Sequence, residues 1–134
     1  MKKIQELKEM QEQKNQLFDE IDKSIELDDF QRKEQRVIAG HWVDFIDELL
    51  DYNFSEFMDK HGYTEDDIGT TFTSEQPEVA KEMYIREEQA RKELEYRENY
   101  CKEHPYGNCY HPFSGGIFIE KLERDILKWM LEIE

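Results

Sequence analysis

The segment from residue 37 to residue 50 repeats apolar residues at intervals of three and four, the spacing of one face of an α-helix. Its apolar residues are Val37, Ile38, Trp42, Phe45, Ile46, Leu49 and Leu50. On a helical wheel the acidic residues of the segment fall on the opposite face, and Asp28 or Asp29 stands where a cap is needed. Gly40, a poor helix former, indicates a close helix crossing or a kink. We therefore predict a long helix with one buried face and one acidic face.

The N-terminal segment, residues 1–24, is also amphipathic, and residues 2–23 contain neither glycine nor proline. Its apolar residues recur at helical spacing: Ile4, Leu7, Met10, Leu17, Phe18 and Ile21. Roughly three heptads fit, although Lys14 stands where the seam of a coiled coil needs an apolar residue. Two interpretations stay open. The helix packs on its own domain, or it pairs with a second copy of the chain in a homodimer.

A third long helix is indicated after residue 73. Ser74 is a candidate cap, Pro77 suits the first turn, and the expected inner face consists of Val79, Met83, Ala90 and Leu94. Oppositely charged residues four apart support its surface, namely Glu82 with Arg86, Glu87 with Arg91, and Glu93 with Arg97. Shorter helices are expected from Ser55 to Gly62 and from Thr64. A closing helix is expected over residues 118–131, unless the stretch GGIFI begins as a short strand.

The helical spacing of apolar residues in all of these segments predicts an all-α fold. No segment alternates apolar and polar residues as a half-buried strand should. A chain of 134 residues can bury one core but not two independent ones. We therefore predict an all-α, small single-domain helical bundle over residues 1–134. It has three long amphipathic helices, short connecting helices and an aromatic loop before the C-terminal helix.

The formal net charge of −15 excludes several classes of partner. It opposes binding to nucleic acid and to anionic membranes, so a basic protein surface is the expected partner. No apolar run approaches the length of a membrane span, and the N-terminus lacks the apolar core of a signal peptide. With two cysteines and no export signal, the expected location is the cytoplasm.

Half of the chain's histidines and both of its cysteines lie in one short stretch, at Cys101, His104, Cys109 and His111. Two thiolates and two imidazoles could hold a tetrahedral zinc ion, and the cysteines could form a disulfide. The spacing C-x2-H-x4-C-x-H, however, matches no established zinc pattern. The expectation is a packed aromatic loop without a cofactor, held by Tyr100, Tyr106, Tyr110 and Phe113.

No common catalytic motif is present, neither a phosphate-binding loop, a dinucleotide glycine fingerprint, a nucleophile elbow nor a zincin helix. One partial resemblance concerns the all-α nucleotide pyrophosphohydrolases, which hold magnesium with Glu-x-x-Glu followed by Glu-x-x-Asp. Glu9 and Glu12, then Glu48 and Asp51, have this form. The gap between the pairs is longer than the resemblance implies, so this enzyme is a minor alternative.

The acidity is concentrated in residues 41–70, where nine acids and one lysine leave eight net negative charges. The acids are Asp44, Asp47, Glu48, Asp51, Glu56, Asp59, Glu65, Asp66 and Asp67. Such a row of carboxylates resembles in character the small acidic phage inhibitors, including anti-CRISPR and anti-restriction proteins, that occupy DNA-binding clefts. The predicted function is a non-enzymatic inhibitor of a nucleic-acid-handling protein. The alternatives are an adaptor subunit that assembles through the N-terminal helix, and a solvated face without a binding role.

Overall fold

The computed structural model describes residues 1–62, 81–104 and 119–133, and all of the regular elements in these ranges are α-helices. They are α1 (Ile4–Lys23), α2 (Asp29–Leu50), α3 (Phe54–His61), α4 (Glu87–Glu103) and α5 (Ile119–Leu131). The predicted all-α helical bundle is confirmed. Among the described helices, none is both long enough and apolar enough to cross a membrane.

The first two helices form an antiparallel pair. Asp28 caps α2, because its Oδ1 accepts the backbone N–H of Gln31 at 2.7 Å while its own N–H donates to the Gln31 side chain. Further along, the Phe18 ring of α1 lies over Gly40 of α2. The helix runs through Gly40 without a break, and a Cβ at this position would lie at an ordinary contact distance from Phe18. Neither the kink nor a crossing too close for a side chain is therefore present at Gly40.

Packing within the chain buries part of the apolar face of α1, and Leu17 stays 40% exposed. Leu7 and Ile21 are buried, and the helix lies along α2. Lys14, the exception in the apolar pattern, holds its Nζ 4.7 Å from the centre of the Trp42 ring, an attractive cation–π arrangement. Pairing of α1 with a second copy stays a prediction.

The other pair consists of α4 and α5, and α2 contacts α5 to join the two pairs. The four helices of these two pairs share one core. Leu7, Ile46, Leu94 and Ile126 belong to it, and each of them is buried. The N-terminus closes the bundle at the end of α5, where the Lys2 N–H donates to the Met130 carbonyl at 2.8 Å.

The third long helix begins later in the structure than the sequence predicted. Residues 81–86 are not helical, and α4 begins only at Glu87. Their backbone groups bond instead to the last turn of α2 and to the residue that precedes α3. The Ile85 N–H donates to Leu49 O at 3.0 Å, and the Asn53 N–H donates to Met83 O at 2.8 Å. These tertiary hydrogen bonds satisfy groups that a helix would have paired internally. Met83 is buried as expected, but not on a helix face.

Two of the three charge pairs expected along the third helix are present, and one is not. Arg91 bonds Glu87 at 3.2 Å and Arg97 bonds Glu93 at 2.6 Å, as predicted. The pairing of Glu82 with Arg86 was wrong, because Glu82 precedes the helix. It instead approaches two side chains of α3, with Lys60 Nζ at 3.3 Å and His61 Nε2 at 2.7 Å.

The short helix α3 agrees with its prediction to within a residue at each end. It stops at Gly62, whose φ of 70° is the left-handed conformation that glycine adopts without a steric penalty. Several predictions fall on residues that the structure does not describe: the helix from Thr64, the Ser74 cap with Pro77 and Val79, and Tyr106, Tyr110 and Phe113 of the aromatic loop. The stretch GGIFI is described only at Ile119, which begins α5.

Candidate functional surface

Four of the predicted acids lie together on the outer side of α2. Asp44, Asp47, Glu48 and Asp51 are all exposed and follow one another at helical spacing. We refer to these four residues as the acidic face. Within the described ranges, none of them forms an ion pair with a lysine or arginine. The face therefore presents carboxylates to solvent, and no lysine or arginine of the described segments neutralises them.

One edge of the acidic face borders α1. Gln11 Nε2 donates to Asp47 Oδ1 at 2.6 Å and to the Val43 carbonyl at 3.0 Å, which fixes the Asp47 side chain. A shallow groove runs along this edge, lined by Lys8, Gln11, Glu12, Asn15, Asp47, Leu50 and Asp51. Its mixed lining contains a lysine, so the acidic character is strongest on the outer side of α2.

The C-terminal end of α2 is an unfavourable place for these charges. Its last turn carries no basic residue, and the exposed carbonyls at a helix C-terminus already hold partial negative charge. At Asp51, the cap residue, burial and the neighbouring Asp47 carboxylate raise the pKa above its usual value. The ionised form of Asp51 thus lowers the stability of the fold at neutral pH.

The other predicted acids do not all share this setting. Glu56 on α3 lies in a concavity with Lys60 of the same helix and with Lys81 and Arg86, which are distant in sequence. Asp59, also on α3, is exposed. Glu65, Asp66 and Asp67 lie outside the described residues. The imbalance counted along residues 41–70 is therefore preserved at the acidic face and reduced around Glu56.

The described half of the Cys/His set is at the end of α4. Cys101 is half-buried in a concavity with Glu98, Lys102, Arg124 and Lys128. The His104 ring stacks on the Tyr100 ring at a centre-to-centre distance of 4.2 Å. Cys109 and His111 lie outside the described residues, so the expected loop without a cofactor stays a prediction and zinc stays the alternative.

The carboxylate pairs that resemble a pyrophosphohydrolase come only partly together. Glu12 and Asp51 line the same groove between α1 and α2. Glu9 accepts a hydrogen bond from Gln5 at 3.4 Å on the exposed side of α1, and Glu48 is exposed. Across the described part of the chain, no three His, Cys, Asp or Glu side chains are grouped so that they could hold a metal ion.

A polar network between α2, α4 and α5 was not expected from the sequence. Arg97 is 14% exposed and bonds two carboxylates, Glu93 at 2.6 Å and Glu123 at 3.0 Å. Glu93 also accepts the hydroxyl hydrogen of Tyr52 at 2.9 Å. His41 Nε2 lies 3.8 Å from Glu123 Oε1, an ion-pair distance when the imidazole is protonated. The network links the acidic face's helix to the second helical pair.

The electrostatics of this network favour its ionised form. Burial would raise the pKa of Glu123, but His41 and Arg97 outweigh it, and the pKa is lowered. Burial opposes the charge on Arg97 as well. The two glutamates again prevail and raise its pKa. One signal in the sequence pointed to this site, since Arg97 continues the inner-face spacing of Ala90 and Leu94.

Comparison with known proteins gives no relative. No family model matches the chain, and no curated protein or solved structure shows significant similarity to it. The acidic face and the polar network are therefore interpreted from their own geometry.

Proposed function

We propose that the protein is a non-enzymatic binder that uses the acidic face to occupy a basic, nucleic-acid-binding surface of another protein. The observation that carries the proposal is the contrast between α2 and α4. Four of the six acids of α4 form ion pairs, for example Glu87 with Arg91 and Glu98 with Lys128, whereas the acidic face has no lysine or arginine partner among the described residues. Unpaired charge at a helix C-terminus disfavours folding, and binding to a basic surface explains why it is present.

The spacing of the carboxylates also fits this role. Side chains three and four residues apart on a helix lie about 5–6 Å from each other, so the face presents a row of negative charges. Such a row is suited to a groove that accepts successive phosphates. In this proposal the protein acts as a nucleic-acid mimic, an anti-defence inhibitor of the anti-CRISPR or anti-restriction type, and it does not bind nucleic acid itself.

The test compares two variants that lose four negative charges each. In the first, Asp44, Asp47 and Asp51 become Asn and Glu48 becomes Gln. The control changes exposed acids of α1 and the following loop: Glu9→Gln, Asp19→Asn, Glu20→Gln and Glu26→Gln. Immobilised wild type, variant and control are incubated with a cell lysate, and the bound proteins are identified by mass spectrometry, with and without duplex DNA as competitor.

We expect wild type and control to retain a nucleic-acid-handling protein that DNA displaces, and the acidic-face variant to lose it. Binding should weaken as salt rises, because the screening length falls from about 10 Å at 0.1 M to about 3 Å at 1 M. Equal recovery by the variant and the control would show that the acidic face does not carry binding.

A second candidate is an adaptor subunit that assembles through the N-terminal helix. It is favoured by exposed apolar residues on α1 and at the turn into α2. Leu17 is 40% exposed, Ile25 94% and Phe30 65%. An assembly through these side chains should persist at high salt, since apolar burial is not screened. Light scattering after gel filtration, with a Leu17→Lys and Phe30→Lys variant as control, measures the oligomeric state.

The minor enzymatic alternative rests on Glu12 and Asp51 in one groove. It predicts release of pyrophosphate from nucleoside triphosphates in the presence of Mg²⁺. Absence of release by the wild type, or unchanged release by Glu12→Gln, counts against it.

A further inference from the structure

A histidine lies at the junction between the two helical pairs. His41 of α2 holds its Nε2 atom 3.8 Å from Glu123 Oε1 of α5, and its ring lies nearly parallel to the ring of Phe45, one turn further along α2. The Nε2 atom is buried and has no hydrogen-bond partner in the part of the chain that the structure describes, a costly state for a buried polar nitrogen. Among the ion pairs of the described residues, this contact alone joins α2 to α5. The junction therefore contains a polar contact that is incomplete while His41 is neutral.

A net negative charge lies next to this imidazole. Glu93 and Glu123 contribute two negative charges and Arg97 contributes one positive charge, which leaves one negative charge in excess. Arg97 bonds Glu123 through Oε2 at 3.0 Å, whereas His41 approaches Oε1, so the two cations do not compete for the same oxygen. Because the side chains of Arg97 and Glu123 are only 14% and 15% exposed, water screens the excess charge poorly. Protonation of His41 would balance the cluster.

The charged groups near His41 come from three helices. Asp44 lies one turn along α2, Arg97 belongs to α4, and Glu123 belongs to α5. No ion pair connects His41 with α1 within the described ranges. Burial would raise the pKa of Glu123, but His41 and Arg97 together lower it. The carboxylate is therefore ionised throughout the range between about pH 5 and 8 in which an imidazole changes charge.

We propose that His41 is a proton-operated contact between the two helical pairs, which pairs with Glu123 when the imidazole is protonated and releases it when the imidazole is neutral. The inference is independent of the proposed function, since neither residue belongs to the acidic face. In neutral solution the junction of α2 with α5 relies on the shared apolar core, and in mild acid the ion pair adds to it. Because α2 also carries the acidic face, the proton sets how firmly that helix is held against α5.

A double-mutant cycle measures the contact. Wild type, His41→Phe, Glu123→Gln and the double variant are unfolded in urea at about pH 8 and at about pH 5.5, towards the two ends of the range in which an imidazole changes charge. Phenylalanine keeps a ring beside Phe45 but cannot take up a proton. At the higher pH, we expect the coupling of the two positions to change the unfolding equilibrium constant less than about twofold. At the lower pH we expect about fivefold, between the values of an exposed ion pair and of a buried charged hydrogen bond.

The matched control cycle uses His104→Phe in place of the change at His41. His104 is exposed and stacks on Tyr100 at the end of α4, so its removal should show no coupling with Glu123 at either pH. Equal coupling of His41 with Glu123 at the two pH values overturns the proposal.

A second measurement needs only the conservative variant His41→Phe. NMR of the side-chain carboxyl carbons follows the titration of Glu123 in wild type, His41→Phe and His104→Phe. Since His41 is one of the two cations that lower the pKa of Glu123, this pKa should rise in His41→Phe and stay the same in His104→Phe. An unchanged titration of Glu123 in His41→Phe also overturns the proposal. This titration alone decides if Glu123→Gln does not fold.

Discussion

Replacement of Gly40 by alanine tests the packing of α1 on α2. Gly40 lies in the interior of α2, where glycine disfavours the helix by about 1 kcal/mol relative to alanine. A Cβ at this position would lie 3.9 Å from Phe18 Cε2, an ordinary van der Waals distance that gains about 0.1–0.2 kcal/mol per atom pair. The structure therefore predicts that Gly40→Ala stabilises the protein by about 1 kcal/mol.

The assay is urea denaturation followed by circular dichroism, with a thermal melt as a second measurement. The urea midpoint should rise at unchanged slope, and the melting temperature should rise by about 3–5 °C. Gly62→Ala is the matched control, because the same added methyl group meets no atom within 4 Å but is placed at a φ of 70°. That change should destabilise by about 1 kcal/mol.

A loss of stability in Gly40→Ala would refute the reasoning. It would mean that α1 approaches α2 more closely in solution than the 3.9 Å contact with Phe18 allows. The glycine would then be required for the helix crossing.

Three further predictions concern the charged groups. Arg97→Met should destabilise by about 3 kcal/mol in urea denaturation, because it leaves the carboxylates of Glu93 and Glu123 without their cation. The stability that Glu123 contributes should be complete above its ordinary pKa of 4.5 and lost as pH falls through the lower folded value. Glu123→Gln should therefore flatten the acid side of a plot of urea midpoint against pH. Asp51→Asn should raise the free energy of unfolding at neutral pH by about 0.5 kcal/mol, because burial and Asp47 disfavour the ionised form. This gain should disappear once acid protonates Asp51 in the wild type.

Rules that consider only neighbouring residues predicted correctly those features of a helix that depend on its own residues. The cap at Asp28, the apolar face of α2 and the glycine stop of α3 all follow from residues within a turn or two of each other. The exposure of the acidic face follows from the same period, since acids opposite an apolar face point to solvent.

Local rules failed at residues 81–86. This segment has helical composition, yet the backbone groups of Met83 and Ile85 bond to Asn53 and Leu49, which lie 30 and 36 residues earlier in the chain. Asn53 is 6% exposed and its side chain bonds Tyr84 O and Gln89. The spacing of residues 74–100 contains no pattern that predicts these hydrogen-bond partners.

The sequence by itself determined the helices, their buried faces and the one-sided acidity of α2, because these properties repeat with the 3.6-residue period of a single helix. Only the tertiary structure decided which charges meet. It placed Lys81 and Arg86 around Glu56, paired Glu82 with α3, and buried Arg97 between carboxylates of α4 and α5. These contacts depend on how helices distant in the chain pack together, and the hydrophobic burial that drives packing is non-directional. The side chains that end up adjacent are therefore set by the completed bundle and not by the order of residues along it.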